Sequence, residues 1–354
     1  MGGSDPAPGT TSGAGTASPP PLLEVRDLAV RFHTHRATVH AVNGVSWSLR
    51  TGESLALVGE SGSGKSVGAL ALLGLVPPPG RITAGSVRLR GAELLELDAA
   101  GWRRIRGREI AMVFQDPMTS LNPVLPVGRQ IAEVLRRHEG MDRAAAEAEV
   151  ARLLARVGIP DGPRRLRDHP HQFSGGQRQR IMIAMALACR PAVLVADEPT
   201  TALDVTVQAQ IVRLVRELQE EMGMAVLWIT HDLALAAEVV DRVAVMYAGA
   251  IVEEAPVEEL FRNPRHPYTR GLLGALPRLD EPVAGGTAGD LAPLRLASIE
   301  GRPPLLLSEP TACAFAPRCG FATETCREAV PSLVAIQGSE GGHRSACWHR
   351  ESLP

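Results

Sequence analysis

The chain contains one lysine in 354 residues, Lys65, and it stands within Gly59-Glu60-Ser61-Gly62-Ser63-Gly64-Lys65-Ser66. Every other long basic side chain is arginine, so this position calls for a compact ammonium and not a planar fork. The octet fits G-x-x-x-x-G-K-[ST], and its flanks fit too: Leu55-Ala56-Leu57-Val58 reads as a short buried strand and Val67 to Leu75 as an apolar helix. In that setting Gly59, Ser61, Gly62 and Gly64 shape a loop whose N–H groups turn toward phosphate oxygens. The helix N-terminus adds partial positive charge, Lys65 reaches the β- and γ-phosphates, and Ser66 holds Mg²⁺. The expected ligand is a nucleoside triphosphate.

Composition narrows the setting. Lys and Arg number 37 against 39 Asp and Glu, which gives no electrostatic reason to expect a nucleic-acid partner. The longest apolar runs, Val67 to Val76 and Ile181 to Cys189, are about half the length that crosses a bilayer. Residues 1–21 are dominated by Gly, Ser, Thr, Ala and Pro and read as a disordered tail with no signal-peptide pattern, so a cytoplasmic chain is expected.

From Leu22 the pattern becomes strand-like. Leu23-Glu24-Val25-Arg26 and Leu28-Ala29-Val30-Arg31-Phe32 alternate at period two and suggest an antiparallel β layer. From about 117 to 176 the spacing turns helical, with Val127 to His138 and Arg143 to Val157 as the clearest segments, so a helical insert is expected there. Strands return at Val193–Ala196, Ala225–Ile229 and Val243–Met246, and the amphipathic run Val205 to Met222 between the first two is the helix of a βαβ crossover. After about 259 the chain turns to Pro, Gly and Arg with four of its five cysteines, marking a separate C-terminal unit.

The strand Val193–Ala196 ends in Asp197-Glu198, where the first carboxylate supports Mg²⁺ and the second can take a proton from water. Just upstream, Ser174-Gly175-Gly176-Gln177 opens a helix with small residues and free N–H groups suited to an anion.

Together these residues resemble the nucleotide-binding subunits of ABC transporters, over roughly Leu22 to Glu254, which implies a nucleotide-binding domain at 22–258. The resemblance implies an α/β fold, a P-loop NTPase with a RecA-like core, an antiparallel β subdomain and a helical insert. It implies that Ser174, Gly175, Gly176 and Gln177 are the signature motif, led here by an unusual Phe173. Gln115 becomes the Q-loop residue and a Mg²⁺ partner, Thr201-Ala202-Leu203-Asp204 the D-loop, and His231 the switch histidine. Phe32 stacks on adenine or belongs to the core, with neither excluded. In such subunits two cassettes meet head to tail, each ATP lying between one P-loop and the other signature, so a second ATPase subunit is an implied partner. Lys65, Gln115, Glu198 and His231 would carry hydrolysis, and nothing marks the site as degenerate.

Phe114-Gln115-Asp116-Pro117-Met118-Thr119-Ser120-Leu121-Asn122-Pro123 and Asn263-Pro264-Arg265-His266-Pro267-Tyr268-Thr269 resemble the ATPases of dipeptide and oligopeptide importers. This implies ATP-driven peptide import through two transmembrane permease subunits, fed by an extracytoplasmic substrate-binding protein, with the chain peripheral on the cytoplasmic face of the inner membrane. Importer ATPases for nickel or another small solute are the alternative, as is a soluble non-transport ABC ATPase.

Cys313, Cys319, Cys326 and Cys347 are separated by five, six and twenty residues. Disulfides do not suit a cytosolic chain, and the close pairs usual for structural zinc are missing. A [4Fe–4S] cluster is therefore the first expectation, with Zn²⁺ or unligated thiols as alternatives. His343 and His349 flank Cys347 and read as solvated surface groups or substitute ligands.

Overall fold

The computed structural model describes residues 20–200, 204–276, 299–339 and 342–353. The expected tail, Pro20 and Pro21 aside, lies outside them, as do Thr201, Ala202 and Leu203.

An eight-stranded sheet forms the centre. From edge to edge it runs Val334–Ala335, Arg344–Ser345, Ala250–Pro256, Arg242–Tyr247, Ser54–Val58, Ala225–Thr230, Val193–Asp197 and Ile110–Val113. The last five are parallel neighbours, and the first three add on antiparallel. Ser54–Val58, Ala225–Thr230 and Val193–Asp197 are buried at every position. Helices cover both faces of such a sheet, which is why these strands read as unbroken apolar runs.

The second sheet is antiparallel and four-stranded, ordered Thr38–Leu49, Leu23–His33, Gly80–Leu89 and Ala92–Glu93. The two short strands expected at Leu23 and Leu28 are one strand. Its ladder shifts register between Val25 and Leu28, where Asp27 takes a left-handed φ of 47°, so both halves keep their apolar side chains inward. Leu23, Val25, Leu28 and Val30 pack with Val42, Trp47 and Leu49 and with Ala69 and Leu72 of the P-loop helix.

Helical segments follow the apolar spacing. Val127–His138 buries Val127, Ile131 and Leu135 along one face, and Arg143–Arg156 buries Ala146, Val150 and Leu153 behind an Asp142 side chain that accepts from the Ala145 N–H. Val205–Met222 buries Ile211, Leu214, Val215 and Leu218 and ends at Gly223, whose φ of 64° suits a residue without Cβ. Among the described residues no helix is long and apolar enough to cross a membrane.

The C-terminal segment joins the sheet through buried charge. Glu253 and Glu254 lie on Ala250–Pro256 and are 0% and 1% exposed. Glu253 accepts from the Arg265 and His266 N–H groups and lies 2.8 Å from Nε2 of His343. Glu254 pairs with Arg242 and Arg344. These pairs fasten the strand Arg344–Ser345, which lies between Val334–Ala335 and Ala250–Pro256, to the rest of the sheet. His343 is therefore no surface group and no cysteine-site ligand: it is 1% exposed and spent on Glu253.

Candidate functional site

The proposed nucleotide cleft opens at the C-terminal ends of the parallel strands, where ligands of open α/β sheets bind. Gly59, Glu60, Ser61, Gly62, Gly64, Lys65 and Ser66 line it, with Gln115, Glu198 and His231 from three other loops and Leu272 from the helix Pro267–Gly274. The P-loop helix spans Lys65–Leu72 with Gly64 as its N-cap, starting two residues before the apolar pattern does. Gly64 has φ 100°, and a Cβ there would stand 2.3 Å from the Ala41 carbonyl oxygen, so the loop can close only with glycine.

Lys65 is buried, and its Nζ donates to the carbonyls of Gly59 (2.7 Å) and Glu60 (3.0 Å) and to Ser63 Oγ (3.3 Å). Burial pulls its pKa down from the ordinary lysine value, while the charges of Glu198, Asp197 and Glu60 oppose that shift. Ser66 Oγ donates to Asp197 Oδ1 at 3.0 Å. Burial raises the Asp197 pKa, with Glu198 adding to the rise and Ser66 and Lys65 resisting it. A buried carboxylate beside a hydroxyl is a site that gains from a divalent cation.

Glu198 follows Asp197 with φ 44°, a left-handed conformation costing a non-glycine residue on the order of 1–3 kcal/mol. Its N–H is fixed on the Ile229 carbonyl at 2.9 Å. Its Oε2 accepts from Gln115 Nε2 at 3.0 Å, and its Oε1 lies 3.3 Å from Nδ1 of the exposed His231. Residues from separate loops thus meet at one carboxylate.

Other expected residues stand apart from this cleft. Ser174, Gly175, Gly176 and Gln177 do not line it. Ser174 caps the helix Gly175–Leu187, its Oγ accepting from the Gln177 N–H while Gln177 Oε1 accepts from the Ser174 N–H. Gly176 also has a packing reason, because a Cβ there would lie 2.7 Å from Val207. Asp204 caps Val205–Met222 through the Val207 N–H. Phe32, partly buried, lies beside Gly80 against the second sheet's core and is absent from the cleft lining.

The four C-terminal cysteines line one small cavity with His266, Phe315, Trp348 and His349. Burial raises the pKa of Cys313 and Cys319 and pushes Cys347 up to about 11, with neighbouring thiols adding to each rise. Yet no three His, Cys, Asp or Glu side chains among the described residues have the geometry to hold a metal ion. The expected cluster thus finds its four sulfurs gathered but not arranged as a metal centre. Cys319 and Cys347 instead accept the N–H groups of Phe321 and His349.

Three cleft contacts escape a reading of motifs. The Glu60 N–H donates to the Tyr268 hydroxyl at 2.8 Å, Arg318 forks onto the Glu60 carboxylate, and Leu272 supplies a wall. Tyr268 belongs to the His-Pro-Tyr-Thr segment, which by itself signals only a turn and a helix.

Residues 42–201 match the model for ABC transporter, and 252–326 that for the oligopeptide/dipeptide transporter C-terminal region. The chain is 51% identical over 327 residues to a putative peptide import ATP-binding protein of Brucella ovis, covering 91% of this chain and 96% of that one. It is 49% identical to the dipeptide transport ATP-binding protein DppD of Haemophilus influenzae (89% and 92% covered) and 48% identical to the oligopeptide transport ATP-binding protein OppD of the same organism (93% and 97%). Among solved structures, a dimeric ATP-binding cassette in a post-hydrolysis state with ADP and Pi superposes with a TM-score of 0.60 at 28% identity, covering 67% of this chain and 99% of that one. The chain belongs to the ABC transporter ATPases, in the family of oligopeptide and dipeptide transporter ATP-binding subunits.

Proposed function

We propose that the chain hydrolyses ATP to power peptide import. It sits at the cytoplasmic face of the inner membrane against two transmembrane permease subunits, which an extracytoplasmic substrate-binding protein supplies. The observation that carries this reading is the meeting of Lys65, Ser66, Gln115, Asp197, Glu198 and His231, from four separate segments of the chain, at the glycine-rich loop. The relatives' names support peptide as the cargo over nickel or another small solute, and over soluble non-transport work.

In this reading Gly59, Ser61, Gly62, Gly64 and Lys65 cradle the triphosphate. Ser66, Gln115 and Asp197 hold Mg²⁺, which supplies charge neutralisation. Glu198 orients and polarises the attacking water, and His231 and Lys65 stabilise the γ-phosphate, so catalysis is positioning and electrostatics. Ser174, Gly175, Gly176 and Gln177, away from their own cleft, complete the cleft of a second ATPase subunit, with Asp204 at the same interface. Phe32, beside Gly80 and outside the cleft lining, stacks on adenine or belongs to the core.

Cys313, Cys319, Cys326 and Cys347 hold one [4Fe–4S] cluster, with Zn²⁺ as the alternative. Their shared cavity supports this, since thiolates drawn together around it would repel one another unless a cationic centre compensated them. The cluster's part is to tie together a segment poor in regular structure.

The test is co-purification from membranes followed by reconstitution with the recovered permease. Uptake of a labelled dipeptide that requires ATP and stops in Lys65→Ala is expected. Uptake of nickel alone would change the cargo, and recovery of active ATPase with no membrane partner would overturn the transport reading.

A further inference from the structure

We infer that Arg318 and Tyr268 are positioning residues for the nucleotide site, through which the C-terminal region holds the P-loop at Glu60. The inference rests on the P-loop reading above.

Glu60 has three polar groups, and each is occupied. Its carbonyl accepts from Lys65 Nζ, its N–H donates to the Tyr268 hydroxyl at 2.8 Å, and its carboxylate takes both arms of Arg318, Nη1 at 2.7 Å and Nη2 at 3.0 Å. Tyr268 and Arg318 stand 208 and 258 positions along the chain from Glu60. Arg318 is itself held: its side chain is 6% exposed, and it donates further to the carbonyls of Glu300, Ile299 and Gly301 and to the Tyr247 hydroxyl. Those bonds fix the plane of the guanidinium, so it meets the carboxylate as a preset fork and not as a mobile surface charge. Tyr268 is fully buried against Tyr247 and Phe315. Its position follows from the helix Pro267–Gly274, whose His266 cap accepts the Tyr268 N–H. Burial pushes His266 down to about 3, which keeps its Nδ1 free to accept.

The electrostatic consequence concerns anion binding. Glu60 places a carboxylate in the lining of a cleft that must receive a triphosphate. Arg318 cancels that charge and Tyr268 fixes the backbone that carries it. Without Arg318 the cleft presents an uncompensated negative group to its ligand, and Lys65 must serve both.

Purified full-length chain titrated with Mg–ATP tests this. Arg318→Met should raise the dissociation constant and the KM for ATP about tenfold, the scale of one lost charge-assisted pair, while kcat changes by less than about threefold. Adding Glu60→Gln to Arg318→Met should restore most of the affinity, because the charge that Arg318 cancels is gone. A merely structural role would not be repaired by a change at Glu60. Tyr268→Phe, which removes one oxygen from a buried ring, should raise KM about threefold. It keeps the question answerable if Arg318→Met does not fold. Wild-type affinity in both Arg318→Met and Tyr268→Phe overturns the inference, as does a loss in Arg318→Met that Glu60→Gln leaves unrepaired. Lys65→Ala separates the two levels. If it loses ATP and the Arg318 and Tyr268 variants do not, only the positioning role fails; if it binds ATP normally, the P-loop reading falls and this inference with it.

Discussion

The nucleotide cleft and the cysteine cavity solve opposite electrostatic problems. In the cleft the groups proposed to react already have partners within the protein: Lys65 on loop carbonyls, Ser66 on Asp197, and Glu198 between Gln115 and His231. In the cysteine cavity burial and mutual proximity raise the pKa values of Cys313, Cys319 and Cys347, and among the described residues only backbone N–H groups oppose the rise. A site of the first kind exchanges one set of partners for another on binding, which suits a substrate that must come and go. A site of the second kind keeps its thiols protonated unless a resident positive centre, such as the proposed cluster, draws the protons off. The difference separates turnover from architecture, and variants in either region can break or sharpen it.

The largest effect belongs to the cleft. Glu198→Gln removes the proton acceptor while leaving Lys65 and the loop amides in place. Turnover should fall about 10²–10⁴-fold with ATP affinity retained, measured by phosphate release and by equilibrium titration on the same preparation. Hydrolysis at the wild-type rate would take Glu198 out of its proposed role.

Next comes the division of the site between chains. Ser174→Arg puts a long cation at the exposed N-terminus of Gly175–Leu187 and should abolish activity, although Ser174 lies outside the chain's own cleft. If the working pair is a homodimer, mixing with Lys65→Ala should return up to one active site per pair, since one chain supplies the P-loop and the other the signature. Full activity of a monomeric Ser174→Arg protein would break the shared-site reading.

Both variants fall in the parts of the molecule that are legible in the amino-acid sequence. The octet Gly59–Ser66, the acids after Val193–Ala196 and the buried strands are local patterns, and the strands form where their apolar runs lie. The strand Ala250–Pro256 carries no such signal. Its Glu253-Glu254 pair looks solvated until His343 and Arg344, 90 residues on, are seen to pair with it. Thr38–Leu49 is absent from the sequence expectation, and it contains Asn43-Gly44, a dipeptide common in turns, with Gly44 at φ 69° within the strand. Likewise Glu60 is an unmarked x of the motif, and its partners Tyr268 and Arg318 carry no spacing that ties them to it. Contiguous chemistry can be read from the sequence; chemistry assembled by long-range charge pairing cannot.

The third prediction probes the cavity. Anaerobically purified protein should be brown and carry iron and sulfide, and Cys319→Ser should bleach it while kcat stays within about threefold, because the thiols line a cavity separate from Glu198. A colourless preparation with stoichiometric zinc would replace the cluster but keep the four-ligand site. No metal of either kind would remove the cavity from the comparison.

The smallest effect comes from the fifth cysteine, which supplies the internal standard for the other four. Cys189 follows the helix Gly175–Leu187, far in sequence from the cavity, with its Sγ facing the Val134 carbonyl. Burial, helped by the charge of Glu139 and resisted by Arg108, pushes its pKa from 9.0 up to about 11. Because the folded state favours the neutral thiol, the associated stability is present below the unfolded pKa and is lost as pH rises from about 9 toward 11. Below pH 9 only the thiolate alkylates, so the shift lowers its reactive fraction, and with it the rate, by about two orders of magnitude against a free thiol. Mass-spectrometric mapping of iodoacetamide adducts at about pH 8, below both values, should therefore find Cys189 slow, and equally slow before and after a chelator strips the metal. Cys313, Cys319, Cys326 and Cys347 should each react faster after stripping than before it, although Cys347, which burial also pushes up to about 11, stays slow against a free thiol. Protection of all five that survives the chelator would assign the cavity's inertness to burial alone, and the two regions would then differ in packing and not in the need for a resident cation.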